Sequence, residues 1–293
     1  MKYIKNLYLL LRVKHYIKNI LIFVPLIFSG ELFNEKYFYS AIWGFILFSL
    51  ITSVVYIIND INDYEYDKIN EAKKNRPIAN GSISKTNALI IAMILLSLFF
   101  LFAYMLYTWG GVFLRAIFIP LLYLLLNIGY SFGLKNIPII DVAIIAIGFI
   151  LRALYGGIII NVEISNWVYL TVITGSLYLG LGKRKKELYN FKGITTRKVL
   201  SGYTVNFLDK NMYMCMSLCL MFYSLACIDL KTKAAQMGGR LIWTVPLVLL
   251  ISLKYNLNLE SKKEGDPTNI ILDDKGLILL ILLYGASIIY TIY

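Results

Sequence analysis

The chain has 293 residues, 59% hydrophobic and 16% charged, with a formal net charge of +12. Its mean hydropathy of +0.69 lies far above that of a water-soluble domain, which excludes an ordinary soluble fold and points to an all-α, polytopic membrane protein. The positive charge does not argue for nucleic acid, which would require a basic face on a water-soluble fold; it reflects membrane topology and anionic ligands.

Apolar stretches of roughly 20 residues, enough to cross a bilayer, recur along the whole length. Nine spans are expected, near 17–33, 37–58, 86–108, 112–133, 139–160, 166–182, 211–229, 240–257 and 276–292. The first is the weakest, interrupted by Pro25. The runs are continuous and do not alternate, so barrel strands are not expected. In this arrangement 23 of the 29 basic residues fall on one side of the membrane. The positive-inside rule makes that side cytoplasmic, with the N-terminus and the long polar loops inside and the C-terminus outside a cell membrane. Phe28-Ser29-Gly30 is a poor cleavage site, so no signal peptide is expected. Nothing divides residues 1–293 into more than one domain.

The second span ends in Asn59-Asp60-Ile61-Asn62-Asp63-Tyr64-Glu65-Tyr66-Asp67. Polar clusters at membrane depth are expensive and default to a functional reading. On a continued helix Asn59, Asp63 and Asp67 recur every fourth residue on one face, with Asp60 beside Asp63; Glu65 points elsewhere. A solvated connection between helices would explain the acids but not the stripe. Hard oxygen ligands of this kind suit Mg²⁺ carrying a diphosphate. Lys73, Lys74 and Arg76 follow, able to neutralise phosphate, although a topogenic anchor would look the same. Ser84 reads as the N-cap of the third span.

Tyr130 and Lys135 sit at the inner end of the fourth span, and Arg12, Tyr16, Lys18 and Asn19 precede or open the first. Asp141 and Arg152 are ionisable residues within the fifth span, eleven residues and three turns apart, and must face the bundle interior. A second polar cluster, Gly182-Lys183-Arg184-Lys185-Lys186-Glu187, ends the sixth span, four spans after the first cluster. It is either topogenic or a phosphate site in which Glu187, four residues after Lys183, orients that lysine. His15 is the only histidine and reads as a surface loop residue. Cys215, Cys219 and Cys227 share one face of the seventh span and read as packing residues. The chain has no P-loop, no dinucleotide fingerprint and no nucleophile elbow.

With its Asn59, Asp60, Asp63, Asp67 pattern after the second span, the chain resembles the UbiA superfamily of intramembrane transferases. Within it, the chain resembles the decaprenyl-phosphate phosphoribosyltransferase branch. The resemblance runs end to end through Arg12…Tyr16-Ile17-Lys18-Asn19, Arg76-Pro77-Ile78-Ala79-Asn80-Gly81, Tyr130-Ser131…Leu134-Lys135, Asp141-Val142, Gly148…Arg152 and Gly182-Lys183-Arg184…Glu187-Leu188. Members that use prenyl diphosphates carry a second D-x-x-x-D motif after the sixth span; here that position is cationic. A further departure is Asn70-Glu71-Ala72 before the basic pair, where relatives usually have His-Pro.

The resemblance implies a nine-helix bundle with a cytoplasm-facing cavity. It also implies Mg²⁺ on Asn59, Asp60, Asp63 and Asp67, phosphoribosyl diphosphate as donor and a polyprenyl phosphate as acceptor. Lys18, Lys73, Lys74, Arg76, Tyr130, Lys135, Arg152, Lys183, Arg184 and Glu187 are the expected substrate-binding residues. Two other readings stay open: an aromatic prenyltransferase acting on a 4-hydroxybenzoate-like ring, and a transporter or lipid-binding scaffold. A homo-oligomer is compatible with the sequence.

Overall fold

The computed structural model describes residues 2–70, 73–110, 113–163, 165–189, 198–231, 239–261 and 265–293. Among them there is no strand. Lys192, Arg197, Lys233, Lys262 and Lys263 lie outside the described residues. In chain order the α-helices are α1 (Lys2–Leu11), α2 (Val24–Phe28), α3 (Glu35–Asn62), α4 (Tyr64–Ile69), α5 (Lys85–Gly110) and α6 (Phe113–Ser131). They are followed by α7 (Ile140–Ile160), α8 (Asn166–Tyr189), α9 (Val205–Ile228), α10 (Val245–Ser261), α11 (Pro267–Leu272) and α12 (Lys275–Ile292).

Among the described residues six helices are long and apolar enough to cross a membrane: α3, α5, α7, α9, the run Arg240–Ser261 ending in α10, and α12. The stretch expected as the first span is instead a tight 3₁₀ segment, Val13–Phe23, leading into the five-residue α2. Pro25 stands in the first turn of α2, where its missing N–H has no helical partner to lose. The fourth expected span is α6, with Pro120 inside it. The sixth is α8, which continues as helix through the cationic cluster to Tyr189.

The two central helices are α3 and α7, with 61% and 67% of their spanning windows buried, against 22% for α5 and 17% for α12. On α5, Leu89, Ile90, Met93, Ile94, Leu101 and Tyr104 are exposed, an apolar face suited to lipid. The central cluster joins Phe48 and Ile51 of α3 to Leu151 and Tyr155 of α7 and to Ile22 and Leu26. Cys215, Cys219 and Cys227 are buried and unpaired, as packing residues should be.

Helix association in lipid rests on close packing rather than hydrophobic burial, so small residues mark the tightest approaches. A Cβ on Gly156 of α7 would stand 2.0 Å from the carbonyl oxygen of Ile22. Any side chain there would push the 3₁₀ segment off α7. That contact holds Asn19 of the segment against Arg152, one helical turn back along α7.

Candidate active site

The acid-rich segment keeps helical spacing across a break. α3 ends at Asn62 and α4 begins at Tyr64, yet Asp63 N–H donates to the Asn59 carbonyl and Asp67 N–H to the Asp63 carbonyl, both at 2.9 Å. The expected stripe therefore forms, and Glu65 is exposed away from it. Asp60 and Asp67 are 2% and 1% exposed, which rules out a solvated connection between helices.

Each carboxylate meets a cation. Arg12 and Arg76 both donate to Asp60, the latter at 3.0 Å. The same Arg76 nitrogen donates to Asp67 at 2.6 Å, and Lys73 lies 3.7 Å from the other oxygen of Asp67. Lys135, in the turn just after α6, reaches Asp63, which also accepts from the Asn59 amide at 3.2 Å. Ser131 donates to Asn59 Oδ1 at 3.2 Å, and Asn62 donates to the Ser131 carbonyl at 2.8 Å, tying α3 to α6. Lys74 is exposed. Among the described residues no three acidic side chains converge on a point. The donors are nonetheless all hard oxygens, and Asp67 Oδ1 is a buried carboxylate oxygen with no hydrogen bond. This donor set fits a hard divalent cation.

Beside the acids lies a cavity of about 180 Å³. Its cationic lining is Arg12, Lys18, Arg152, Lys183 and Arg184, with Tyr56, Asn59, Tyr123, Tyr130 and Ser131 among its other walls. None of the three aspartates lines it. Arg12 and Asn59 connect the two regions, since each faces the cavity and also holds an aspartate. Lys135, Lys73, Lys74 and Arg76 belong to the acidic side rather than to the cavity.

The buried cations are fixed by neutral groups or by internal acids. Arg152 donates to Asn19 Oδ1 at 2.7 Å, to the Gly148 carbonyl at 2.5 Å and to Tyr123 Oη at 3.1 Å. It also lies over the rings of Tyr123 and Phe48, 4.7 and 5.0 Å from their centroids, a geometry in which aromatic faces stabilise a cation. Arg184, wholly buried, donates to Asp141 and Glu187 at 2.5 Å each and to Tyr130 Oη at 3.2 Å. The expectation that Glu187 would orient Lys183 is thus corrected: on α8 Glu187 meets Arg184, three residues back, and Lys183 instead donates to Asp266 at 3.2 Å.

Asp141 and Arg152 both face inward, as their cost in lipid demands, but in separate networks. His15 differs from its expected place on the surface. It is half-buried against Tyr56, with ring centroids 5.4 Å apart, and burial followed by the nearby Lys18 charge pulls its pKa down to about 3. Reading the sequence missed Asp266 and Tyr203. The first follows Gly265 in a polar connection, a faint signal; the second is one of 23 tyrosines and carries none.

The comparisons with known proteins agree with this architecture. The chain is 32% identical over 290 residues to the decaprenyl-phosphate phosphoribosyltransferase of Corynebacterium glutamicum, covering 97% of this chain and 85% of that protein. It is 29% identical to the protein of the same name from Mycolicibacterium smegmatis, covering 96% and 91%. A solved UbiA homologue of Archaeoglobus fulgidus, bound to DMAPP and Mg²⁺, superposes with a TM-score of 0.70 at 18% identity, over 97% of this chain and 98% of that one. The same homologue has been solved with Cd²⁺, at a TM-score of 0.68 and 17% identity, over 98% and 99%. The profile of the UbiA prenyltransferase family matches residues 21–269, and the chain belongs to that family.

Proposed function

We propose that this protein transfers 5-phosphoribose from phosphoribosyl diphosphate to a polyprenyl phosphate, releasing diphosphate, at the cytoplasmic mouth of a nine-span bundle. The observation that carries this reading is the juxtaposition of two regions: a stripe of carboxylates, with its own ion-paired cations, abuts a cavity whose lining includes five cations and no acid. A donor with a diphosphate at one end and a phosphate ester at the other matches both halves. A prenyl diphosphate carries no phosphate apart from its diphosphate to meet the cations. The names of the curated relatives support the same substrate class.

Asn59, Asp60, Asp63 and Asp67 would hold Mg²⁺, which supplies charge neutralisation for the diphosphate leaving group. Arg76, Lys73 and Lys135, now on those carboxylates, would add positive charge as the diphosphate departs. Stabilising charge that develops in the transition state with groups already in place is commonly the largest catalytic term. Breaking the anomeric C–O bond leaves positive charge on the ribose ring, as in other glycosyl transfers. The acceptor phosphate oxygen, already anionic, attacks that carbon without a general base. Lys18, Arg152 and Lys183 line the space for the two phosphates, while Arg184 and Glu187 set the wall behind them and orient Tyr130. The lipid tail leaves between apolar helices.

The deciding experiment incubates purified full-length protein and Mg²⁺ with polyprenyl phosphate and labelled phosphoribosyl diphosphate, in parallel with a labelled prenyl diphosphate plus 4-hydroxybenzoate. Lipid-soluble label should form in the first mixture, and should be abolished by Asp63→Ala and by Asp67→Ala. Product in the second mixture alone makes the protein an aromatic prenyltransferase; none in either removes the transferase reading.

A further inference from the structure

The cavity lining contains no carboxylate; its cations are met from behind, Arg184 by Asp141 and Glu187, Arg12 by Asp60, and Lys183 by Asp266. Asp266 lies just before α11, and Oδ2 accepts from Lys183 Nζ at 3.2 Å while Oδ1 accepts from the Thr268 backbone N–H at 3.0 Å. Its neighbour Pro267 forms part of the cavity wall. The segment is pressed onto α8: a Cβ on Gly265 would stand 2.7 Å from Lys186 Cβ and 3.5 Å from the Lys183 carbonyl oxygen. A larger residue there would lift Asp266 away from Lys183. Burial by itself would push the carboxyl up, but the charges of Lys183 and Lys18 outweigh it and hold Asp266 well below the usual carboxylate range. The carboxylate form is thereby favoured beside Lys183.

We propose that Asp266 is a built-in counter-anion: it occupies Lys183 in the absence of substrate and must be displaced by any anion that takes that lysine. The inference rests on reading the cavity as a phosphate site and assigns a competing role there to a residue outside it. Displacing Asp266 costs every anion the same ion pair, and the repulsion it then exerts grows with the charge of the ligand. A diphosphate or dianionic phosphate ester offsets this by engaging Lys183 and the neighbouring Lys18 and Arg12 together. Asp266 thereby holds Lys183 in place and favours release of product. It is a positioning residue, since it touches Lys183 and not the reacting atoms.

The test has a direction that a purely structural role would not produce. Asp266→Asn keeps the volume and keeps an acceptor for the Thr268 N–H, asparagine being as good a helix cap as aspartate, while removing the charge. Calorimetric titration of the full-length protein in detergent with inorganic diphosphate, and separately with inorganic phosphate, is the readout. Affinity for both should rise, by about threefold to tenfold for an ion pair of this partial exposure, with the larger gain for the more highly charged diphosphate. Unchanged or weaker binding overturns the proposal. Asp266→Ser, which also caps, gives the same reading if the asparagine variant does not fold. Because these titrations involve no sugar transfer, they decide the role of Asp266 separately from the transfer assay, whose failure in the wild-type protein would count against the phosphoribosyl reading alone.

Discussion

The hydroxyl of Tyr203 donates to the buried carboxylate of Asp141 at 2.6 Å and, on its other side, accepts the backbone N–H of Ile139, also at 2.6 Å. It thereby satisfies two groups at the start of α7. Ile139 has φ +71°, a conformation that is strained for a β-branched residue, and the tyrosine helps hold it. Asp141 in turn holds Arg184. Removing the hydroxyl in Tyr203→Phe should destabilise the protein by about 1–3 kcal/mol, because it leaves a buried carboxylate oxygen short of a donor. Thermal unfolding in detergent measures this. The same variant should raise the Michaelis constant for the donor, since Arg184 and Tyr130 lose their fixed geometry.

Arg152 is almost wholly buried, and its Nε depends on the side-chain carbonyl of Asn19. Asn19→Leu leaves that buried donor without its acceptor. A loss of about 1–3 kcal/mol is expected, with Asn19→Asp milder because it restores an acceptor and adds a counter-charge. Unfolding midpoints of the two variants, compared with wild type, check the order.

His15 gives the protein an acid-sensitive element. Its folded pKa, about 3, lies below the ordinary value of 6.5, so the folded state prefers the neutral ring. The resulting stability is fully present above pH 6.5 and is lost progressively as pH falls toward 3, where the folded form also takes up the proton. The unfolding midpoint of the wild type should therefore drop between about pH 6.5 and about pH 4.5, and His15→Phe should flatten that slope. Asp266 contributes only further down, because its carboxyl must itself be protonated before Lys183 loses its partner.

Chelation of divalent metal should abolish transfer, and Mg²⁺ should restore it. Asp67→Asn should require more metal for half-maximal rate, by about tenfold, since it replaces the carboxylate whose buried oxygen lacks a hydrogen bond by a neutral ligand. Titration of the rate against free Mg²⁺ measures this. An unchanged metal requirement would remove Asp67 from the ligand set.

Residues close in sequence were legible because their relation depends only on helical spacing. Asn59, Asp63 and Asp67 lie four apart, and the hydrogen bonds across the break at Asp63 preserve that interval. The inward direction of Asp141 and Arg152 followed from the expense of charge in lipid. The helical reading erred where two partners satisfy similar geometry: Glu187 was matched with Lys183, but Arg184, one residue nearer, offers a planar fork that reaches both Glu187 and Asp141. His15 was misplaced because its burial is made by Tyr56, contributed by α3 about forty positions later.

Composition, hydropathy and the spacing of acids were enough, from sequence alone, to establish a helical membrane protein with an acidic stripe and several inward charges. Which cation meets which acid was decided only in three dimensions. Arg12 on Asp60, Lys135 on Asp63 and Lys183 on Asp266 join segments 48, 72 and 83 residues apart. The physical reason is that a salt bridge is chosen by the distance between charged atoms after the helices pack, and close contacts such as Gly156 on Ile22 and Gly265 on Lys186 set those distances without leaving a periodic trace in the chain.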